Sequence, residues 1–122
     1  MKISVLGSGS WGTAVAKLLN ENGHDVTLWS KFENEASTLR TLRENPFLKG
    51  VVIPDGVTIT ALADEAARGT DIAVFATPSF AVSETAELFK DKLPGDCIIV
   101  CISKGIEKDT MRLFSRILRE TF

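Results

Sequence analysis

A chain of 122 residues is long enough to form one domain with its own hydrophobic core, without disulfide bonds or a structural metal. Hydrophobic residues make up 44% of the chain and charged residues 25%, which are ordinary proportions for a globular protein and exclude a disordered or collagen-like chain. The net charge of -2 provides no broad cationic surface, so we expect neither a nucleic acid nor an anionic membrane as the main partner.

Apolar runs in the sequence are short. The longest, such as residues 97–102, fall far below the roughly 20 residues of a membrane helix, and no segment resembles a signal peptide, so we expect a cytoplasmic protein. Cys97 and Cys101 would lie ~13 Å apart on one strand, too far for a disulfide bond. With a single histidine they do not make a set of zinc ligands, and we expect both cysteines in buried strand positions and no metal site.

Strand and helix patterns alternate along the chain with no low-complexity linker, which predicts one continuous domain of five βα units. Short apolar runs predict strands over residues 2–6, 25–29, 57–60, 71–76 and 97–102. Apolar residues at helical spacing predict a helix after each strand: one ending at Asn22, one over about residues 31–43, one ended by Gly69, one from Val82 to Leu93 and one from Met111 to Leu118.

Parallel strands joined by helices cross over in the right-handed sense. We therefore expect an α/β fold with a doubly wound parallel sheet, a Rossmann fold, whose strand order is 3-2-1-4-5. Ligands of such sheets bind beyond the carboxyl ends of the strands, where the strand order reverses.

The first predicted strand runs directly into residues 7–12, GSGSWG, which fit the G-x-G-x-x-G spacing of a dinucleotide-binding loop. In this pattern Gly7 permits the tight turn, Gly9 lets the backbone approach a pyrophosphate, and Gly12 lets the helix pack closely on the strand. The free amides at the start of the helix would face the anion. Trp11 either contacts the cofactor or belongs to the core.

The residues after the second strand should select the dinucleotide, because an acidic side chain there binds ribose hydroxyls and a basic one accommodates a 2′-phosphate. Ser30 and Lys31 could hold a phosphate. Phe32 could cover the adenine, and Glu33 could approach a ribose. Alternatively, Ser30 and Glu33 form a capping box for the next helix, and Lys31 is solvated.

Two further loops should lie at the same edge of the sheet. Residues 77–80 follow the fourth strand and residues 103–107 follow the fifth, so both would border the cofactor beyond the pyrophosphate. Lys104 could pair with a substrate phosphate or with cofactor oxygens, or it could be a solvated lysine. His24 lies in a turn at the opposite edge, where we expect a surface residue and not a general acid.

These motifs together resemble the N-terminal domain of NAD(P)-dependent glycerol-3-phosphate dehydrogenase over the whole chain. Phe47 and Lys49 stand in place of the tyrosine and the proline of the family's Asn-x-x-Tyr-Leu-Pro loop. Residues 77–79, Thr-Pro-Ser, resemble its Val-Pro-Ser turn, and residues 103–107, SKGIE, match its strand-five motif. The segments that carry the resemblance are residues 7–14, 45–54, 77–79 and 103–107.

The resemblance implies hydride transfer between NAD(P)H and dihydroxyacetone phosphate, giving sn-glycerol 3-phosphate, a glycerophospholipid precursor. It places Lys31 at the family's adenosine-phosphate position, next to Phe32 where bacterial members often have arginine, so we expect NAD or NADP with only a modest preference for NADP. It gives Lys104 contacts with both the cofactor and the substrate. The cofactor-binding residues are then Gly7, Gly9, Ser10, Trp11, Gly12, Lys31, Phe32, Pro78 and Lys104.

The family continues with an all-helical substrate domain that carries its catalytic lysine. The resemblance therefore implies that residues 1–122 form a dinucleotide-binding domain with no catalytic residue of its own, which binds cofactor without turnover. It also leads us to expect a homodimer for the full-length enzyme. One alternative is another NAD(P)-dependent dehydrogenase, acting on a hydroxy acid or sugar acid. A second is a non-catalytic nucleotide-sensing domain, although such domains usually carry an acidic residue where Ser30 and Lys31 stand here.

Overall fold

The five predicted strands form one parallel sheet in the order β3-β2-β1-β4-β5 in the computed structural model, which describes residues 1–103 and 113–122. The predicted Rossmann fold and strand order are thereby confirmed. The runs of aliphatic and β-branched residues suit strands that are buried on both faces by helices. The strands are β1 (Lys2–Leu6), β2 (Asp25–Trp29), β3 (Thr58–Thr60), β4 (Ile72–Phe75) and β5 (Ile98–Cys101).

β1 lies in the middle of the sheet and pairs with both β2 and β4. Leu6, the last residue of β1, is opposite Trp29 of β2 and Phe75 of β4. Because the three strands end at the same level, the loops that follow them emerge side by side at one edge of the sheet. The strand order reverses between β1 and β4, so a ligand crevice is expected between these loops.

Helices cover both faces of the sheet. Alternate strand residues face opposite sides, so Val5 packs beneath α1 and α2, whereas Leu6 and Phe75 pack against α3, α4 and α5. The predicted start of the last helix at Met111 lies outside the described residues. The helices are α1 (Ser10–Glu21), α2 (Glu33–Leu42), α3 (Ala63–Ala67), α4 (Val82–Phe89) and α5 (Phe114–Thr121).

The predicted capping box at the start of α2 is wrong. Phe32 is the residue that precedes the helix, and no side chain caps it. Ser30 is buried and still belongs to the sheet, since its N–H donates to the Thr60 carbonyl at 2.9 Å. Its Oγ donates to Glu35 Oε2 at 3.0 Å and not to the backbone near Glu33. The chain needs two more residues beyond Ser30 to leave the sheet and begin the helix.

The cysteines are only half-buried, contrary to the prediction of buried positions. Both are free thiols; Cys97 precedes β5 and Cys101 ends it. β5 is an edge strand of the described sheet, and Ile98 on its other face is 56% exposed. The apolar run predicted two covered faces, but the face of β5 that carries Ile98 and Val100 is exposed among the described residues. Partial burial raises the pKa of both thiols, so they remain protonated at neutral pH.

His24 lies directly before β2, at the end of the sheet opposite the loops that follow β1 and β4. The sequence predicted a surface residue, and His24 is half-buried. Within residues 1–103 and 113–122, no three His, Cys, Asp or Glu side chains come together as a metal site would require. No helix in that part of the chain has the length and apolar character needed to cross a membrane.

Candidate dinucleotide site

Two glycines give the turn between β1 and α1 its shape. Gly7 has a φ of +130°, and a Cβ there would lie 2.6 Å from the carbonyl oxygen of Ala76. A Cβ at Gly12 would lie 2.1 Å from the carbonyl oxygen of Gly7. Any side chain at Gly7 would strain the turn, and any at Gly12 would push α1 away from it. Both glycines are therefore required by the protein's own backbone.

Gly9, the middle glycine of the motif, is different. Its φ of -67° is one that any residue adopts. A Cβ at Gly9 would meet no atom within 4 Å beyond its chain neighbours. The fold of the described residues does not require a glycine here, and the space in front of Gly9 is open to a ligand.

The start of α1 presents unpaired backbone donors beside Gly9. The first hydrogen bond of the helix runs from Thr13 N–H to the Gly9 carbonyl at 2.9 Å. The amides of Ser10, Trp11 and Gly12 therefore have no acceptor inside the helix, and α1 has no acidic residue in its first turn. These amides and the positive end of the helix dipole favour an anion at this position.

A cavity of about 430 Å³ opens next to the glycine loop, between that loop, the start of α2, and the loops that follow α2 and β4. This volume lies within the range of small-molecule and cofactor sites. Three aromatic rings stand at the cavity and are largely exposed: Phe32 at 53%, Phe47 at 84% and Phe80 at 87%. Exposed rings beside a cavity can stack on a planar ligand ring and be buried by it.

Lys31 lines this cavity directly after β2. Its Nζ forms an ion pair with the carboxylate of Glu84 on α4 and lies 5.5 Å from the centre of the Phe32 ring. Lys31 is therefore a paired lysine and not simply a solvated one. Both side chains of the pair are more than one-third exposed, so the pair is weak and another anion can compete for the lysine.

Glu33 does not lie at the cavity, contrary to the suggested ribose contact. Its carboxylate pairs with Arg40 and borders a separate polar groove beside β3. The carboxylate that lines the cavity belongs to Glu35, which is held by Ser30 Oγ. Side chains two residues apart on a helix point in nearly opposite directions, so Glu33 and Glu35 place their carboxylates on different surfaces.

Asn45 is a structural residue of the site whose role the sequence did not reveal. Its side chain is buried, and Nδ2 donates to the Ser8 carbonyl and to Thr13 Oγ1, each at 2.9 Å. Its Oδ1 accepts the backbone N–H of Phe47 at 2.9 Å. This one amide therefore joins the glycine loop, α1 and the loop that carries Phe47.

Pro78, a predicted cofactor-binding residue, lines the cavity from the loop after β4. Ser103 holds this loop, because its Oγ donates to the Thr77 carbonyl at 2.6 Å. Lys104, the predicted contact for both cofactor and substrate, lies outside the described residues.

Ser10 and Trp11 are exposed in the first turn of α1 and are not among the described residues that line the cavity. The indole of Trp11 is 63% exposed, which rules out the alternative that Trp11 belongs to the core. The anion position at the helix start is reached by the backbone amides of both residues, whatever their side chains contact.

A doubly wound sheet with a glycine loop at its reversal point is the architecture of Rossmann-type dinucleotide-binding domains. The family model for the NAD-dependent glycerol-3-phosphate dehydrogenase N-terminus matches residues 2–122, and the chain belongs to this family. This membership argues against both alternatives, the hydroxy-acid dehydrogenase and the nucleotide sensor.

Individual relatives agree with the family match. Glycerol-3-phosphate dehydrogenase (NAD(P)+) of Chlorobium phaeobacteroides (strain BS1) is 45% identical over 121 residues, and the protein of that name from Corynebacterium glutamicum (strain R) is 40% identical over 121 residues. In each case the match covers 98% of this chain and 36% of the relative. The crystal structure of glycerol-3-phosphate dehydrogenase from Coxiella burnetii superposes with a TM-score of 0.91 at 26% identity, covering 98% of this chain and 37% of that one. The chain thus spans about a third of the length of the relatives it matches.

Proposed function

We propose that this chain binds NAD or NADP at the reversal point of its sheet and serves as the cofactor domain of a glycerol-3-phosphate dehydrogenase. The observation that carries the proposal is the difference among the three glycines of residues 7–12. Gly7 and Gly12 are needed by the backbone, whereas Gly9 faces open space at the positive end of α1. A glycine at that place is explained by a ligand whose pyrophosphate approaches the backbone closely.

The positions of the loops set the orientation of the dinucleotide. The pyrophosphate lies against Gly9 and the amides at the start of α1. The adenosine half then extends over the end of β2, towards Lys31 and Phe32. The nicotinamide half extends over the end of β4, towards Pro78. By the family resemblance, Lys104 would contact both the cofactor and the substrate. Ser10 and Trp11 contribute through their amides.

Both dinucleotides are expected to bind, with a modest preference for NADP. Lys31 can pair with a 2′-phosphate, but a lysine is a point charge and lacks the bidentate geometry of an arginine. Glu84 already pairs with Lys31 and would repel the phosphate. An exposed ion pair contributes at most about 1 kcal/mol, which limits the preference to a few-fold in affinity.

In the complete enzyme, the reaction would be hydride transfer between the nicotinamide and C2 of dihydroxyacetone phosphate, with a proton added to the carbonyl oxygen. NAD(P)H supplies the hydride, and the residues of this chain bind and orient it. Residues 1–122 are the dinucleotide-binding domain, and a helical substrate domain of the longer protein would carry the catalytic lysine. We expect the isolated residues 1–122 to bind cofactor without turnover.

The proposal also includes a wider setting for the complete enzyme. The product, sn-glycerol 3-phosphate, would serve glycerophospholipid synthesis in the cytoplasm, and the complete enzyme would act on a small molecule, without nucleic acid or membrane partners, as a homodimer.

Replacing Gly9 with valine tests the site. The variant Gly9→Val should fold, because its Cβ meets open space, and should lose at least about 10-fold in affinity for NADH, because its side chain occupies the position of the pyrophosphate. Gly95→Val is the matched control, since a Cβ at Gly95 also meets nothing within 4 Å and Gly95 lies before β5, away from the cavity. Calorimetric titration measures the affinities, and circular dichroism verifies folding. Equal affinities of folded Gly9→Val and wild type would refute the site.

A further inference from the structure

Thr77 lies at the centre of the crevice between β1 and β4. It is the second residue after β4, and the residue before it, Ala76, extends the sheet by donating its N–H to the Leu6 carbonyl at 2.9 Å. A Cβ at Gly7 would lie only 2.8 Å from the backbone nitrogen of Thr77, so the Ala76–Thr77 peptide is packed directly on the glycine loop. Thr77 therefore faces the same crevice as the proposed pyrophosphate.

The hydroxyl of Thr77 has no hydrogen-bond partner within residues 1–103 and 113–122. The residue is 6% exposed and lines the cavity, and among the described residues its Oγ1 is the one buried side-chain oxygen or nitrogen that makes no hydrogen bond. Two other buried threonines show the contrast, because their hydroxyls have partners. Thr13 Oγ1 accepts from Asn45, and Thr70 Oγ1 donates to the Ala66 carbonyl at 2.8 Å.

An unsatisfied buried hydroxyl destabilises a folded protein, because the group has lost its hydrogen bonds to water without replacing them. Such groups are rare in native proteins and call for a specific explanation. Valine has nearly the same shape and would avoid this loss, so packing alone does not explain a hydroxyl at this position.

The hydroxyl is also held in place. The Ser103 side chain fixes the Thr77 carbonyl at 2.6 Å, and a β-branched side chain has few χ1 rotamers. A ligand oxygen that comes to lie against Thr77 in the crevice could therefore supply the acceptor that this buried hydroxyl lacks.

We propose that Thr77 Oγ1 donates a hydrogen bond to an oxygen of the bound dinucleotide, in the pyrophosphate or the adjoining ribose on the nicotinamide side. This inference rests on the proposed function, since it identifies a further binding residue of the same site. The loop after β4 lies on the opposite side of β1 from Lys31 and the adenosine position, which assigns the contact to the nicotinamide side.

Thr77→Val is the informative variant because it removes the hydroxyl and keeps the shape. Its affinity for NADH should fall about 10-fold, the size expected for one ligand hydrogen bond, while its melting temperature without ligand stays the same or rises. Thr77→Ser, which keeps the hydroxyl, should stay within about 3-fold of wild type in affinity.

Thr70→Val is the matched control, since it removes a buried threonine hydroxyl that is satisfied and lies before β4, at the other end of the strand from the cavity. It should lower the melting temperature and leave NADH affinity unchanged. Calorimetric titration and thermal unfolding of each purified variant give both readouts. Equal NADH affinity of wild type and Thr77→Val would overturn the inference alone, whereas a folded wild-type chain that binds neither NADH nor NADPH would overturn the proposed function as well.

Discussion

The glycine loop and the segment after β2 both border the cavity, but they are held in different ways. Backbone atoms fix the glycine loop, because Gly7 and Gly12 pack against other parts of the main chain at distances that leave no space for a Cβ. Exposed side chains define the segment after β2, where Lys31 contacts Phe32 and Glu84. Pyrophosphate binding should therefore be insensitive to most surface substitutions, whereas the choice between NAD and NADP should change easily.

The largest expected effect concerns the glycine loop, which is fixed by backbone atoms. Gly12→Ala places a Cβ only 2.1 Å from the Gly7 carbonyl oxygen, and should lower the free energy of unfolding by about 3 kcal/mol or more. Gly9→Ala should change it by less than about 1 kcal/mol, because its Cβ meets open space. Urea unfolding followed by circular dichroism measures both. Similar stabilities of the two variants would show that the loop is not held by its backbone contacts.

The sequence predicts the glycine loop well, and the reason is physical. The requirements at residues 7–12 are local, since a positive φ and a close helix–strand approach each select glycine at a fixed spacing. Strand positions follow apolar runs, and β1 and β2 have the predicted bounds. β5 is shorter than its apolar run, and its exposed Ile98 shows that such a run does not reveal whether helices cover both faces of the strand.

The contacts between side chains around the cavity are predicted less well, because they join distant parts of the chain. Glu84 meets Lys31 across 53 positions, and Asn45 meets Ser8 across 37. The pattern of residues around Glu84 indicates only a helix, and the pattern around Asn45 only an irregular loop. Glu35 takes the place suggested for Glu33 because the exact start of α2 depends on how far β2 and its pairing with Thr60 extend.

Asn45 connects the glycine loop to the loop that carries Phe47, and its removal should have the second-largest effect. Asn45→Ala removes three hydrogen bonds and leaves the Ser8 carbonyl and the Thr13 hydroxyl with only the 3.3 Å bond between them, which should lower the free energy of unfolding by about 2 kcal/mol. NADH affinity should also fall, because Phe47 and the glycine loop lose their common anchor. Asn34→Ala, at an exposed position on α2, is the control for stability. If both variants unfold at the same urea concentration, the Asn45 contacts do not hold the loops together.

The smallest expected effect concerns cofactor choice. Glu84→Gln keeps the shape of the side chain and removes the charge that competes for Lys31, so NADPH affinity should rise about 3-fold while NADH affinity stays nearly constant. Lys31→Ala should lower NADPH affinity by a similar factor and spare NADH. Both effects should shrink at high salt, because the charges involved are exposed.

Glu87→Gln is the matched control and should alter neither affinity. It lies one turn further along α4, where its carboxylate pairs with Lys90. Calorimetric titrations with both cofactors separate the outcomes. If Lys31→Ala weakens NADH and NADPH equally and Glu84→Gln behaves like Glu87→Gln, Lys31 does not contact the 2′-phosphate, and the preference belongs to NAD.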